Sequence, residues 1–279
     1  MTIYDGFAEL ERTGWTNPEI ATGYIDMFSS ASDMAVPAVV SRIPGTARVL
    51  DLCCGQGNTT LALIDAGHDV VGADFSTVML EEARKRRPDA TFIEADAQDL
   101  PFAAECFDAV TSTFGLMHVP DQPRALREIA RVLRPGGRLV MSAWAGPAHS
   151  AAFGILYPAV MQNADPSVTM PEQPDFHRFA DEDTASGLFS EAGLGLSSIE
   201  LVPCHWDMDD PARLFEIFLR GAPRGGSLLS RQPEENRNAI RNAMTEAVRS
   251  RCAHDGGYRV EIPAAVIVAT RDEVHPPLP

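Results

Sequence analysis

From Arg48 to Trp144, apolar runs and amphipathic stretches alternate along the chain. Arg48–Leu52 reads as a buried strand that runs into a glycine-rich turn. Thr59–Ala66 has a helical pattern, with Asn58 as its cap and Gly67 as its stop. His68–Ala73 predicts a second strand, Ser76–Arg87 a helix capped by Ser76 and stopped by Pro88, and Thr91–Glu94 a short third strand. Phe107–Thr113 predicts a fourth strand, and Asp121–Leu133 a helix with Leu126, Ile129, Ala130 and Leu133 on one face. Pro135-Gly136-Gly137 reads as a turn and Arg138–Trp144 as a fifth strand.

Beyond Gly146 the pattern loosens. Residues 147–180 read as loops with short helices, and Asp181–Ala192 as a helix ended by Gly193. Residues 196–203 and 263–271 predict two more strands, and 209–257 reads as a helical insert between them. Leu214, Phe215 and Phe218 in that insert are read as core. A Pro276, Pro277, Pro279 tail is expected to fray. Strands alternating with helices imply parallel pairing through right-handed crossovers. The expected fold is therefore α/β: a doubly wound, Rossmann-like, seven-stranded, mostly parallel sheet with helical insertions near the C-terminus. We expect a single domain: 1–47 a helical cap, 48–144 the core, 145–208 substrate-side elements, 209–257 a lid, and 258–279 the last strand and tail.

Charge narrows the partners. Thirty-nine acids against 23 bases give a net charge of −16. Such a chain repels phosphate backbones, so no nucleic-acid partner is expected, whereas a cationic small molecule is not disfavoured. No apolar run approaches the ~18 residues of a membrane helix, so no membrane insertion is expected. The first residues carry no basic-then-apolar block. With five cysteines, an odd count, the simplest expectation is a reduced, cytoplasmic chain. No His/Cys cluster has zinc spacing, so no metal is expected. Residues 211–260 hold nine arginines against five acids. A solvated helical face is the simpler reading of these, and an anion-gripping lid the sharper one.

The chemistry concentrates at the strand ends, where ligands sit in such sheets. Asp51-Leu52-Cys53-Cys54-Gly55-Gln56-Gly57-Asn58-Thr59 links a strand to a helix. Glycines there admit close backbone approach, and the helix start offers unpaired N–H groups. The third glycine of a dinucleotide loop is missing, which disfavours a nicotinamide dehydrogenase. Asp74 ends the second strand, 23 positions after Asp51, where a carboxylate suits two ribose hydroxyls. Asp96 follows the third strand, where a carboxylate accepting from an exocyclic amine selects adenine.

On these residues the chain resembles class I S-adenosylmethionine-dependent methyltransferases of the ubiquinone/menaquinone-biosynthesis group. Phe107-Asp108-Ala109-Val110 with Leu116-Met117-His118-Val119-Pro120-Asp121, and Glu128 to Gly137, resemble that family's fourth- and fifth-strand motifs. The resemblance covers residues ~48–144. In the glycine loop, Cys53 stands for the family's first glycine and Gln56 for its threonine; a β-carbon at 53 argues against a left-handed backbone there. The resemblance implies S-adenosyl-L-methionine as cofactor and a small-molecule acceptor methylated on O, N or C; it suggests a quinone-like compound, whereas the helical insert favours a specialised metabolite. It implies that Cys53, Gly55 and Gly57 line the methionine moiety and that Asp51 orients the loop, with a structural cap as its competing role. Asp74 then holds the ribose beside Phe75, Met79 packs on the adenine or in the core, and Asp96 and Ala97 read the adenine edge. Thr113 faces the amino group and Tyr24 covers the cofactor. His149, after the fifth strand, is the candidate for touching the acceptor or acting as base; His118 is read as packing, and His177 and His205 rank lower. Non-methyl chemistry on the same fold, or a non-catalytic partner subunit, are the competing functions, and a homodimer is left open.

Overall fold

The structure, a computed structural model, describes residues 3–272; the proline tail lies outside the described residues. Among these, the strands are β1 (Arg48–Leu52), β2 (Asp69–Asp74), β3 (Thr91–Glu94), β4 (Phe107–Thr113), β5 (Leu133–Trp144), β6 (Leu194–Val202), β7 (His205–Met208), β8 (Ala253–His254), β9 (Gly257–Glu261) and β10 (Ala264–Arg271). The described chain forms two compact units. One comprises residues up to Met34, Ala145–Gln173 and Pro203–Ala264. The other comprises Ala35–Trp144, Pro174–Val202 and the chain from Ala265 onward.

The second unit carries a seven-stranded sheet in the order β3-β2-β1-β4-β5-β10-β6. The pairs β1/β2, β2/β3, β1/β4 and β4/β5 are parallel, so the doubly wound, mostly parallel expectation holds. Fully buried strands read as continuous apolar runs, and Val49, Leu50, Leu52, Val110, Leu139 and Val140 are all at most 1% exposed. On one face, Val39, Ile43 and Leu63 pack on Val49, Val140 and Val266. Toward the β3 edge of the same face, Leu80 and Ala83 pack against Phe92. Gly72 in β2 permits this: a β-carbon there would stand 2.7 Å from the Phe92 ring and 3.0 Å from Thr60 Oγ1.

The helices differ from expectation mainly at their ends. Thr77–Arg86 is capped by Ser76, whose Oγ accepts from Met79 N–H at 3.2 Å. Gln122–Val132 is capped by Asp121, which accepts from Arg124 N–H at 3.0 Å. The helix Asn58–Asp65 is capped by Gly57 at φ +83°, not by Asn58, because the tight strand-to-helix turn demands a left-handed residue at that point. Asn58 instead accepts from Arg86. The Pro135-Gly136-Gly137 turn is absorbed into β5. Phe107 pairs with Leu133 but Ala109 with Arg138, so the intervening residues bulge out, with Gly136 at φ +73°.

The first unit corrects the sequence reading twice. Residues 147–180 contain a thirteen-residue helix, Ala151–Asn163, with Pro158 inside it. The insert is not purely helical: with Arg213–Gly221, Pro223–Ser230 and Glu234–Arg251 comes an antiparallel sheet, β7-β9-β8. Its strands are two to five residues long, too short for a periodic signal. Leu214, Phe215 and Phe218 are buried, as expected of core residues. Phe28, Trp206 and Phe218 meet edge to face at 5.1–6.1 Å, forming an aromatic core for this unit. Among the described residues, no helix is long and apolar enough to cross a membrane.

Candidate active site

Parallel pairing brings the carboxyl ends of β1, β2 and β4 side by side. Asp51 lies opposite Gly72 of β2 and Thr111 of β4 and is completely buried. Its carboxylate accepts from Thr60 Oγ1 at 2.6 Å and from Thr111 Oγ1 at 2.9 Å. Burial outweighs these bonds and lifts the carboxyl from 3.8 to about 6. Asp51 therefore ties β1 to β4 and to the helix that follows the glycine loop. The motif did not reveal the two threonines that hold it.

The loop turns through three left-handed residues: Cys53 at φ +56°, Gly55 at +53° and Gly57 at +83°. The left-handed Cys53 corrects the expectation drawn from its β-carbon. Gly115 supplies the reason, since a β-carbon at 115 would stand 2.2 Å from Cys53 Cβ and 3.0 Å from its Sγ. Cys53 fits in its conformation because its neighbour lacks a side chain. Burial pushes both the Cys53 and Cys54 thiols well above their ordinary range, so both act as packing groups. At Gly57 a β-carbon would crowd Ala83, Phe92 and Leu61 at 3.2–3.3 Å, whereas at Gly55 it would meet only the Met79 methyl at 3.9 Å. The loop backbone is thus packed at one glycine and approachable at the other. Arg86 holds it from outside by donating to Gln56 O at 2.9 Å.

Asp74 closes the loop from β2. Its Oδ2 accepts from Gly55 N–H at 2.9 Å and its Oδ1 from Ser76 N–H at 2.8 Å. Burial raises its carboxyl above the ordinary value, opposed by those amides and by nearby His118. Phe75 is half-buried beside it, and Met79 is buried one helical turn on. The chain then pairs Ala95 N–H with Asp74 O at 3.0 Å, which sets Asp96 next to this carboxylate in the fold. Asp96 Oδ1 accepts from the Gln98 backbone N–H and from Gln98 Nε2, both at 2.9 Å, and Ala97 is buried. Gln98, unnoticed in the sequence, also receives Asp121 N–H at 3.1 Å. Below this loop Arg131 donates to Leu100 O at 2.9 Å and Phe102 O at 2.7 Å.

Beyond β4, Thr113 Oγ1 accepts from Thr59 Oγ1 at 2.8 Å. Phe114 is left-handed at φ +57°, its amide is held by Ser142, and its ring stacks on Trp144 at 3.8 Å. His118 meets Phe176 edge to face at 5.6 Å, and Phe176 meets His177 at 5.4 Å. His177 Nδ1 lies 3.1 Å from Trp144 O. No sequence signal singled out Phe114, Trp144 or Phe176.

The structure therefore brings together Asp51, Cys53, Gly55, Gly57, Asp74, Phe75, Met79, Asp96, Ala97 and Thr113 in one unit. Tyr24 and His149 belong to the other. Tyr24 opens a π-helical turn, stacks on Phe28 at 5.7 Å and shares a hydrogen bond with Ser32 at 3.0 Å. His149 is exposed in a turn closed by its own N–H to Gly146 O. Among the described residues, no group of three or more His, Cys, Asp or Glu could hold a metal ion.

Residues 50–141 match the family model described as "Methyltransferase domain". A demethylmenaquinone methyltransferase of Renibacterium salmoninarum is 43% identical over 129 residues, 46% of this chain and 54% of that protein. One of Mycobacterium marinum is 39% identical over 167 residues, 60% of this chain and 68% of that protein. The chain spans about half the length of the first curated relatives it matches. Among solved structures, YcgJ of Bacillus subtilis superposes with a TM-score of 0.56 at 20% identity, covering 86% of this chain and 98% of that one. At that identity the likeness speaks for the fold alone.

Two outcomes are expected. The folded Asp51 holds its proton to about pH 6, above its unfolded value. Its stabilising contribution is thus complete below about pH 4 and lost as pH rises through 6, a change of roughly 3 kcal/mol. Asp51→Asn should remove that slope in urea unfolding between about pH 4 and pH 7; an unchanged slope would assign the titration to another group. Gly115→Ala should cost about 1–3 kcal/mol through overpacking on Cys53. Adding Cys53→Gly should recover most of it in a double-mutant cycle, and strict additivity of the two would show that they do not share this space.

Proposed function

Because the chain belongs to the class I S-adenosylmethionine-dependent methyltransferases, the family that also holds the demethylmenaquinone methyltransferases, we propose that it methylates a small, quinone-like acceptor using S-adenosyl-L-methionine. The observation that carries this reading is the Asp74 carboxylate, buried at the tip of β2 and bonded to Gly55 of the loop at 2.9 Å. A carboxylate there matches a vicinal diol, whose hydroxyls both donate to an acceptor. The approachable backbone at Gly55 and the neighbouring Met79 match a ligand lying along the loop.

When bound, the cofactor supplies an electrophilic methyl on a sulfonium that is already a good leaving group. Asp74 would hold the ribose, Asp96 and Ala97 the adenine edge, Met79 its face, and the backbone from Cys53 to Gly57 the methionine end. The chain's task is then alignment and exclusion of water. A quinone is itself electrophilic, so the nucleophilic partner is its reduced hydroquinone form. The activity of those relatives, demethylmenaquinone methyltransferases, supports this class of acceptor.

The test uses the full chain, S-adenosyl-L-methionine and a reduced short-chain 2-alkyl-1,4-naphthohydroquinone. A product heavier by one methyl group is expected by mass spectrometry; an unchanged acceptor alongside bound cofactor would overturn the acceptor class. Calorimetry should show S-adenosylhomocysteine binding, weakened by ~1.5–3 kcal/mol in Asp74→Ala, the scale of a hydrogen bond to a charged group. Equal affinity in that variant would remove Asp74 from the nucleoside site.

A further inference from the structure

The two edges of the seven-stranded sheet are finished differently. At one edge β3 is only four residues long, ends in Glu94, and has its Phe92 carbonyl taken by Arg84 at 3.0 Å. At the other edge β6 runs for nine residues, roughly 30 Å of strand. Among the described residues, no strand pairs with its outer side. The outer N–H and C=O groups of an edge strand recruit other strands, and proteins guard such edges with lysine, proline or brevity. β6 has none of these guards. It contains no Lys, Arg or Pro, and its single charge, Glu200, is already held by Arg42 of the same chain. Leu201 on it is 48% exposed, and Ile199 is half-buried.

We propose that β6 is a dimer interface, which the β6 of a second copy joins in antiparallel pairing about a two-fold axis through Ser198. The side chains select this register. Strand alternation puts Gly195, Ser197, Ile199 and Leu201 on one face, where Ser197 Oγ lies 3.2 Å from Thr270 Oγ1 of β10. Glu200 and Val202 point to the other face, toward Arg42 and the packing around Val39 and Ile43. Residues opposite each other in a sheet share a face, so a two-fold axis passes through one residue, which then meets its own copy. With the axis at Ser198 the whole of β6 pairs, from Leu194 opposite Val202 to Val202 opposite Leu194. Any other centre shortens the ladder.

The same register places Leu201 opposite Gly195. A β-carbon at Gly195 would meet nothing closer than Asp272 Oδ1 at 3.5 Å, so the space beside this glycine admits the leucine of the other copy. Ile199 lies opposite Ser197, and the two Ile199 side chains become diagonal neighbours across the axis. Glu200 falls opposite Leu196. An axis through Glu200 would instead set two carboxylates directly against each other, which destabilises a strand pair. Each copy carries a net charge of −16, but charges further apart than about 8 Å are largely screened at physiological ionic strength. Because β3 is short and partly occupied, the sheet extends at one edge only, and the assembly closes at two copies.

Sedimentation equilibrium of the full chain should return twice the mass of one chain. Leu201→Lys places a guard on an exposed position and should return a single chain, with far-ultraviolet circular dichroism unchanged. Ser198→Cys tests the register, since a disulfide needs Cα atoms within about 7 Å of each other. Mild oxidation of this variant should give a covalent dimer whose peptide map contains a bridge from position 198 to position 198. Glu200→Cys should give no bridge between its two new thiols, because each lies opposite Leu196. A monomeric wild-type chain would overturn the proposal, as would an assembly larger than two or a dimer that Leu201→Lys leaves intact. A dimeric Ser198→Cys variant without the 198–198 bridge, or a bridge through position 200, would overturn the axis at Ser198.

Discussion

The hydrogen bond from Gly55 N–H to Asp74 Oδ2 joins two segments that neither could position alone. Parallel register aligns Leu52 with Ala73, and Cys54 N–H continues the pairing onto Ala73 O at 3.0 Å. The next donor in the chain, Gly55, then falls on the next side chain of β2, which is Asp74. A buried carboxylate is costly unless its oxygens are satisfied, and a buried loop amide is costly unless it has an acceptor. Each removes the other's penalty. The loop's shape is therefore set by sheet register, and with it the distance between the glycine backbone and the carboxylate that face a ligand.

The same edge stores backbone strain. Cys53 and Phe114 both hold left-handed conformations, at a cost of roughly 1–2 kcal/mol for a residue with a β-carbon. They follow adjacent strands, and each is held by a specific neighbour. Cys53 is accommodated by the bare Cα of Gly115. Phe114 is fixed through its amide on Ser142 and its ring on Trp144. Strain of this kind persists where the surroundings over-determine it, and here it bends the chain sharply at the strand tips, where the ring faces and histidines gather.

The cofactor half of the fold was legible because parallel strands write their burial directly into the sequence. Thr91–Glu94 and Phe107–Thr113 were read to the residue, and Ser76 declared itself as a cap. What escaped was set by tertiary packing. The left-handed Cys53 depends on Gly115, sixty-two positions away, and no local propensity carries that pairing. The strands β7 and β9 present only brief alternations, Trp206 and Met208 against Val260, and helix-like surroundings overrode them. Ala151–Asn163 hid behind Pro158, which reads as a breaker but sits inside the helix. His177 drew little notice because a lone histidine gives no sign of its partner, here a backbone carbonyl thirty-three residues back.

The arginine-rich insert bears on the acceptor by what its charges already do. Glu216 receives both Arg220 and Arg241, Arg249 pairs with Glu246, and Arg259 grips Asp207 with two bonds. Arg224, Arg231 and Arg237 donate to the carbonyls of Pro171, Thr169 and Ser230. Exposed pairs of this kind contribute at most about 1 kcal/mol each, so they do little for stability. They do, however, engage guanidinium donors that an anion-gripping lid would need. Local neutralisation therefore favours the solvated-face reading. A chain of net charge −16 gains nothing by recruiting an anion.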